Sequence, residues 1–277
     1  MNKQIIISDY LVPLQQYGKT GIVHSVFDRS FNLKIQDQLI HISNFSNYLS
    51  SFGIFLPNEV FQSLKSFVQQ GNIVKLTAEQ LTIYSKWGVQ TVAIVPRQIV
   101  SLKITDFHLK SSQLRLLREH LSAQKLTGKI GLPVDQRAMF IFDQLQQASA
   151  AWTRSQWQEI VTYLIGRGQG LTPSGDDILV AYQTILSAVG DERGAALNAA
   201  LATAKWSTTD ISRAYIESSA QGYGNSLIYQ LLADLAADKK TTLDKNVENI
   251  LKIGHSSGVD LSFGMLLALQ TIEREKK

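Results

Sequence analysis

Arg167-Gly-Gln-Gly-Leu-Thr-Pro-Ser-Gly-Asp-Asp177 leads directly into Ile178-Leu-Val-Ala-Tyr-Gln-Thr-Ile-Leu-Ser-Ala-Val189. Glycines and a proline favour a loop in the first segment, because both residue types disfavour the interior of a helix. The second segment is apolar on nearly every side of a helix, and such helices lie in the middle of a bundle. The stretch therefore predicts a loop that leads into a buried central helix.

The beginning of this helix occurs a second time, 83 positions later. Ser257-Gly-Val-Asp260 has the same Ser-Gly-x-Asp pattern as Ser174-Gly-Asp-Asp177, and an apolar segment again follows. A small residue stands four positions after each aspartate, Ala181 in one segment and Gly264 in the other. The pattern predicts two equivalent helix starts.

Helix capping explains part of this pattern. Ser174 and Ser257 can accept hydrogen bonds from free backbone N–H groups, and Asp177 and Asp260 interact favourably with the helix dipole. A cap of this kind contributes about 1 kcal/mol. Capping does not explain the glycine after each serine, because alanine would stabilise a helix by about 1 kcal/mol more. The glycines indicate that another backbone or a ligand approaches closely.

The functional alternative is a site formed by both helix starts together. We expect the stretches around Gly175 and Gly258 to meet and to direct backbone N–H groups into one cavity, where they bind a phosphate, a carboxylate or a developing oxyanion. Neighbouring aspartates would repel such an anion. Asp176 is therefore predicted to act as a general base, to accept substrate N–H groups, or to bind Mg²⁺ together with Asp177 and Asp260.

Several other residues are candidates for the same site. His255 could transfer a proton, and Arg167 or Arg29 could hold a carboxylate or a phosphate. His24 and Arg29 belong to a predicted hairpin, where such residues often serve only the turn. Asn225 can cap another helix, and its segment is structural as readily as functional. The remaining candidates for anion or substrate binding are Gly170, Thr172, Ser174, Gly175, Ser256, Ser257 and Gly258.

The chain as a whole predicts an α+β fold. Residues 1–108 form a β-rich part, an antiparallel sheet or small barrel, because short β-branched runs alternate with turn residues. Residues 109–277 form a larger α-helical part with two buried central helices. Strands are predicted at 21–27, 31–35, 38–42, 72–76, 80–84 and 91–95, with a helix at 57–70. Later helices are predicted to be capped by Ser111 or Ser112, Asp135 and Thr153, and to cover 176–189, 191–205, 225–237, 243–253 and 259–273.

Composition excludes several classes of protein. The 277 residues contain no cysteine, which excludes disulfides, cysteine–zinc sites and thiol nucleophiles. A net charge of +4 is weak support for nucleic-acid binding, and no nucleic-acid or membrane partner is expected. No apolar run approaches the roughly 18 residues that a membrane helix needs. The sequence predicts a cytoplasmic protein.

Three segments together resemble a known family. They are His24-Ser-Val-Phe-Asp-Arg-Ser-Phe-Asn-Leu33, Gly170-Leu-Thr-Pro-Ser-Gly-Asp-Asp177 and Ile253-Gly-His-Ser-Ser-Gly-Val-Asp260. In order and separation they resemble the AllH-type family of oxamate carbamoyltransferase subunits, long classed as a domain of unknown function. The Leu-Thr-Pro-Ser-Gly-Asp-Asp element is the most specific of them.

This resemblance implies a function in the breakdown of purine and allantoin nitrogen. Oxalurate and phosphate would give oxamate and carbamoyl phosphate, which a carbamate kinase then uses. It also implies partner subunits, one of them similar to acyl-CoA synthetases, and a small anionic substrate such as phosphate or oxamate. It implies no catalytic residues, so the site residues above are inferred from the sequence pattern.

Two other functions remain open at this point. The chain could be a non-catalytic scaffold or a small-anion-binding subunit, with its glycine loops in contact with a partner chain. It could also be a metal-dependent hydrolase that acts on a small amide. Binding of phosphate or oxamate to the isolated chain would favour a site within it, whereas amide hydrolysis by the isolated chain with metal would favour the hydrolase.

Overall fold

A computed structural model describes residues 4–18, 20–105, 107–205 and 207–274, apart from the side chain of Tyr17. Backbone contacts divide the chain into two compact units, Met1–Lys103 and Ile104–Lys277. The first unit is built on a curled sheet and the second on helices, so the predicted α+β class is confirmed.

The described part of the first unit contains a sheet of nine strands. Their order across the sheet is β8-β7-β6-β2-β3-β4-β5-β1-β9. The strands are β1 (Ile5–Ser8), β2 (Thr20–Val26), β3 (Ser30–Ile35), β4 (Gln38–Ser43), β5 (Gly53–Phe55), β6 (Ile73–Leu76), β7 (Gln80–Ser85), β8 (Gly88–Ala93) and β9 (Arg97–Val100).

The sheet is mixed and curled, where an antiparallel sheet or small barrel was expected. Neighbours from β8 to β4 pair antiparallel, but β4 pairs parallel with β5, and β1 pairs parallel with β9. Strands β1, β5 and β9 were not predicted, because they have only 4, 3 and 4 residues. Strands β1 and β9 also pair across about ninety residues of sequence. Helix α1 (Asn58–Lys65) is shorter than predicted, and its Phe61 packs 5.8 Å from the Phe31 ring of the sheet.

The second unit contains the remaining described α-helices. Asp135, Thr153 and Asn225 cap α3, α4 and α8 as predicted, whereas the residue before α2 is Lys110 and not a serine. Helix α7 was missed by the sequence analysis. The helices are α2 (Ser111–Ala123), α3 (Gln136–Gln146), α4 (Arg154–Leu164), α5 (Ser174–Ala188), α6 (Arg193–Leu201), α7 (Asp210–Ala220), α8 (Ser226–Ala236), α9 (Leu243–Leu251) and α10 (Ser257–Arg274).

Helices α5 and α10 form the centre of this unit, and both are buried along almost their whole length. They cross at the small residues noted in the sequence. A Cβ atom on Gly264 would lie 2.3 Å from the Ile178 carbonyl oxygen and 3.0 Å from Ala181 Cβ. Because a larger residue would force the backbones apart, Gly264 and Ala181 set the close crossing that brings the two helix starts together.

Among the described residues, no helix is both long enough and apolar enough to cross a membrane.

Candidate functional site

The glycine at each helix start lies against the end of the preceding helix. A Cβ atom on Gly175 would be 2.0 Å from the carbonyl oxygen of Leu164, the last residue of α4. A Cβ atom on Gly258 would be 2.1 Å from the carbonyl oxygen of Ile250 in α9. The close approach that the glycines indicated is therefore an approach of the chain's own backbone.

The amides of these two glycines are already engaged, which differs from the sequence expectation. The Gly175 N–H donates to the Arg167 carbonyl at 2.8 Å, and the Gly258 N–H donates to the Ile253 carbonyl at 2.9 Å. A donor held in this way cannot also bind an oxyanion without giving up its partner. In this conformation, the amides of these two glycines are not available to a ligand.

The two helix starts meet through polar side chains. The Ser257 hydroxyl of α10 faces the Asp177 carboxyl of α5 and opposes the rise in its pKa, and the Ser257 and Thr172 hydroxyl oxygens are 2.8 Å apart. In return, the Ser174 hydroxyl of α5 faces the Asp260 carboxyl of α10 and opposes the rise in its pKa. Each serine thus serves the aspartate of the other helix. The capping box predicted at the start of α5 is absent. The N-cap residue of α5 is Pro173, whose side chain makes no capping hydrogen bond.

Two further groups complete the environment of Asp260. The Ser256 hydroxyl faces its carboxyl and opposes the rise in its pKa, and the Gly131 N–H donates to Oδ1 at 2.9 Å. Gly131 also lies so close that a Cβ atom there would be 2.4 Å from Ser174 Oγ and 2.8 Å from Ser256 Oγ. Three loops therefore converge here, and one of them, the loop of Gly131, was missed in the sequence.

Asp177 and Asp260 form a pair of buried carboxylates. Oδ2 of each is buried and has no hydrogen-bond partner among the described residues. Burial raises the pKa of the Asp177 carboxyl well above its usual range, the nearby carboxylates of Asp260 and Asp176 raise it further, and the hydroxyls of Ser257 and Thr172 oppose the change. Burial likewise raises the pKa of Asp260. The arrangement favours a form in which the pair is not fully ionised.

Asp176 faces a different set of residues. Its carboxylate accepts the Gly166 N–H at 2.8 Å, the Ser212 hydroxyl at 2.6 Å and the Thr208 hydroxyl. The side chain is fully buried, and burial raises its pKa while the three donors oppose the change. These bonds tie the start of α5 to the end of α4 and to α7. Asp176 was expected to be a base, an acceptor of substrate N–H groups or a metal ligand, but its oxygens already accept bonds from three donors of the chain.

The expected set of three carboxylate metal ligands does not form. No group of three or more His, Asp or Glu side chains among the described residues is arranged to hold a metal ion. Asp176 faces α7, whereas Asp177 and Asp260 share the hydroxyls between α5 and α10. The binding of Mg²⁺ by Asp176, Asp177 and Asp260 together has no support in this geometry.

The surface above the buried pair is formed by hydroxyls and by the loops that carry them. Thr172, Ser256 and Ser257 are half-buried, while His255 and Gly170 are exposed on the two loops. We call Thr172, Ser256 and Ser257 the hydroxyl rim. Its groups can accept N–H donors from a ligand or donate to its oxygens, because a hydroxyl does both.

Three other candidates lie outside these hydrogen bonds. The Arg167 Nε donates to the Tyr163 carbonyl at 3.0 Å, and its guanidinium lies 3.9 Å from the centre of the Tyr163 ring. Arg29 belongs to the first unit, where it donates to Asn44 and lies 4.7 Å from the centre of the Phe45 ring. His24 lies in β2 and contacts Ser25. Their roles in a site stay predictions.

Several residues that organise the site were not identified from the sequence. Gly131, Thr208 and Ser212 contact the aspartates from segments far away in the sequence. Gly166, which also contacts Asp176, lies only ten positions before it. The one available signal was Gly131 itself, in Ile130-Gly-Leu-Pro133, since an isolated glycine before a proline marks a turn.

Comparison with known proteins adds two findings. A family model described as oxamate carbamoyltransferase subunit AllH matches residues 164–269, which include both helix starts. A second, described as the AllH family N-terminal domain, matches residues 3–95. No solved structure matches the chain.

Proposed function

The chain belongs to the AllH family of oxamate carbamoyltransferase subunits, and from this membership we propose that it supplies part of a carbamoyl-transfer site, located at the paired starts of α5 and α10. The observation that carries the proposal is the reciprocal arrangement of Asp177 and Asp260 behind the hydroxyl rim. Two buried carboxylates with unpartnered oxygens are costly to maintain, and such strained groups cluster at functional sites.

The proposed reaction is the phosphorolysis of oxalurate. A phosphate oxygen forms a bond to the carbamoyl carbon, and the bond between that carbon and the oxamate nitrogen breaks. The departing nitrogen takes up a proton, and the products are oxamate and carbamoyl phosphate. Negative charge develops on the carbamoyl oxygen during the attack, so the site needs hydrogen-bond donors for that oxygen and acceptors for the carbamoyl N–H groups.

The hydroxyl rim meets both needs. While the Asp177 carboxylate is ionised, the Ser257 hydroxyl can donate to it and accept from the Thr172 hydroxyl, which leaves one Ser257 lone pair to accept a substrate N–H group. When Asp177 holds a proton, the same hydroxyl can donate to the developing oxyanion. Ser256 stands in the same relation to Asp260. The carboxyl pair therefore acts through the hydroxyls, as positioning groups that also store a proton.

The remaining roles belong to exposed residues of the two loops. His255 directly precedes the rim residue Ser256, and we assign it the transfer of a proton to the departing nitrogen. Arg167 is exposed, and its planar guanidinium suits a carboxylate or a phosphate. Partner subunits, one of them similar to acyl-CoA synthetases, would supply the rest of the enzyme.

The proposal is tested by turnover of the assembled enzyme. Asp177→Asn and Asp260→Asn should each lower kcat by about 100-fold or more and change the pH profile of kcat, while the thermal unfolding midpoint is retained. Asp234→Asn is the matched control, because Asp234 is as buried as Asp177, at 6 % exposure, and is bound by Thr242 and Asn246 of another part of the fold. It should leave the pH profile unchanged.

If Asp177→Asn and Asp260→Asn both kept full turnover and an unchanged pH profile, the carbamoyl-transfer site would not lie at these residues. The scaffold function then becomes the better account. Calorimetry of the isolated chain with phosphate, oxamate and carbamoyl phosphate gives an independent reading, because binding that Asp177→Asn abolishes requires a site within this chain.

A further inference from the structure

The outer face of the first unit carries a row of exposed apolar side chains. Ile22 of β2 pairs with Ile73 of β6, Ile73 pairs with Tyr84 of β7, and Tyr84 pairs with Val89 of β8. Residues paired across antiparallel strands point to the same face of a sheet. The four side chains therefore form one line across four strands, about 14 Å long at the usual strand spacing.

These side chains are well exposed. The exposed fractions are 45 % for Ile22, 52 % for Ile73, 41 % for Tyr84 and 60 % for Val89. Trp87, in the turn between β7 and β8, is 66 % exposed and adds a large ring beside the end of the row. Single exposed apolar residues are common, but an aligned set with a tryptophan marks an interaction surface.

The next row on the same face is polar, so the apolar row has a sharp boundary. Thr20 pairs with Lys75, Lys75 with Thr82, and Thr82 with Thr91. The hydroxyls of Thr82 and Thr91 lie 3.0 Å apart. Thr20, Lys75 and Thr91 of this row are exposed, and polar side chains of this kind are what a sheet facing water normally presents. The two rows lie on the same strands and the same face, yet only one of them is apolar. The apolar residues are therefore specific to their row and not typical of this face.

The charges around the row are positive. Lys34 pairs with Ile22 at one end, Lys75 lies in the adjacent row, and Lys86 lies 4.9 Å from the Trp87 ring centre at the other end. Residues 1–103 contain nine Lys and Arg against five Asp and Glu, whereas residues 104–277 contain eighteen of each. The whole net charge of +4 therefore belongs to the first unit, and a complementary surface is acidic.

We propose that this apolar row, Ile22–Ile73–Tyr84–Val89 with Trp87, is the surface by which the chain docks onto a partner subunit of the carbamoyltransferase, whose contact surface is apolar and bordered by Asp and Glu. The family is described as a subunit of an enzyme, so its members work in contact with other chains. A second copy fits less well, because its docking through the same face would bring the lysines of both copies together. The inference rests on the subunit role and not on the assignment of the site.

The test compares two double variants of the full chain, produced with an affinity tag together with the other subunits of its enzyme. Ile73→Glu/Tyr84→Glu places charges in the apolar row, and Thr20→Glu/Thr91→Glu places the same charges at two exposed positions of the polar row. We expect the first variant to retain its thermal unfolding midpoint but to recover at least about 30-fold less partner, because buried aromatic anchors dominate such interfaces. The second should stay within about threefold of the unmodified chain.

Recovery is measured as the stoichiometry of identified subunits by mass spectrometry, and the mass of the complex by light scattering. Wild-type recovery by the apolar-row variant would overturn the proposal, as would a wild-type chain that binds no subunit. A homodimer of the isolated chain that Ile73→Glu/Tyr84→Glu dissociates, with partner recovery unaffected, would assign the surface to a second copy instead. Asp177→Asn should keep full partner recovery, which separates failure of docking from failure of the proposed site.

Discussion

The starts of α5 and α10 are built alike and differ at one position. Both have serine, glycine and aspartate at the same positions, and in both the glycine contacts the backbone at the end of the preceding helix. At the third position α5 has Asp176 and α10 has Val259. Asp176 is bound by three donors from the α4 end and the region of α7, and the valine has no such capacity. The shared residues therefore make the candidate site, and the differing residue anchors one half of it.

The largest effect is expected where the two starts are most alike. Gly175→Ala and Gly258→Ala each place a Cβ atom about 2 Å from a backbone carbonyl oxygen that cannot move alone. Each should lower the free energy of unfolding by about 3 kcal/mol or more, measured by urea denaturation. Gly128→Ala is the control, since a Cβ atom there meets nothing within 4 Å, and it should be nearly neutral. A large loss of stability in one of these two variants and none in the other would show that the two helix starts are not structurally equivalent.

A smaller effect should separate the two starts. Asp176→Ala leaves the Gly166 N–H and two hydroxyls without their acceptor, at a cost of about 2–3 kcal/mol. Val259→Ala, at the equivalent position, should cost about 1 kcal/mol or less. Amide exchange at Gly166 should accelerate in Asp176→Ala and not in Val259→Ala. Equal stability losses without a change at Gly166 would contradict the anchoring role.

The smallest effect concerns the pH dependence of stability. The folded-state pKa of Asp177 lies well above the usual 3.8, so the folded protein holds protons that the unfolded chain releases. This contribution to stability is present below pH 3.8 and is lost as the pH rises from there through the folded-state pKa. Asp177→Asn removes the group. The stability of the variant relative to that of the unmodified chain should therefore be higher at about pH 8 than at about pH 5.

That comparison is made by urea denaturation at the two pH values. Asp234→Asn again serves as control, because the bonds from Asn246, Thr242 and Lys239 lower the pKa of Asp234 despite its burial. The control variant should lose stability at both values. A stability difference that does not change with pH for Asp177→Asn would mean that the carboxyl is ionised throughout this range.

Features that depend on neighbouring residues were predicted well. Asp135, Thr153 and Asn225 cap helices as expected, because a cap needs only a suitable side chain and the amides two or three positions later. Helix α7 was missed because Asp210-Ile-Ser-Arg-Ala-Tyr-Ile-Glu-Ser-Ser-Ala220 contains serines with modest helix propensity and lacks a strong apolar stripe. The parallel pairing of β1 with β9 was missed because about ninety residues separate the strands.

The site was predicted in part for the same reason. Both helix starts, and their aspartates and serines, were identified from a repeated four-residue pattern. The neighbours of those side chains were not, since Ser257 faces Asp177 across 80 positions and the Gly131 N–H donates to Asp260 across 129. A pattern within one helix suggests bonds within that helix, and here the tertiary structure replaced them with bonds between helices.

The amino-acid sequence alone determined the α+β class, the burial of α5 and α10, and the likeness of their starts, because the apolar content and spacing of a segment are properties of that segment. Only the tertiary structure decided that adjacent Asp176 and Asp177 have different environments. Successive residues on a helix point about 100° apart, so two neighbouring carboxylates face different elements, and the identity of those elements depends on how the whole unit packs.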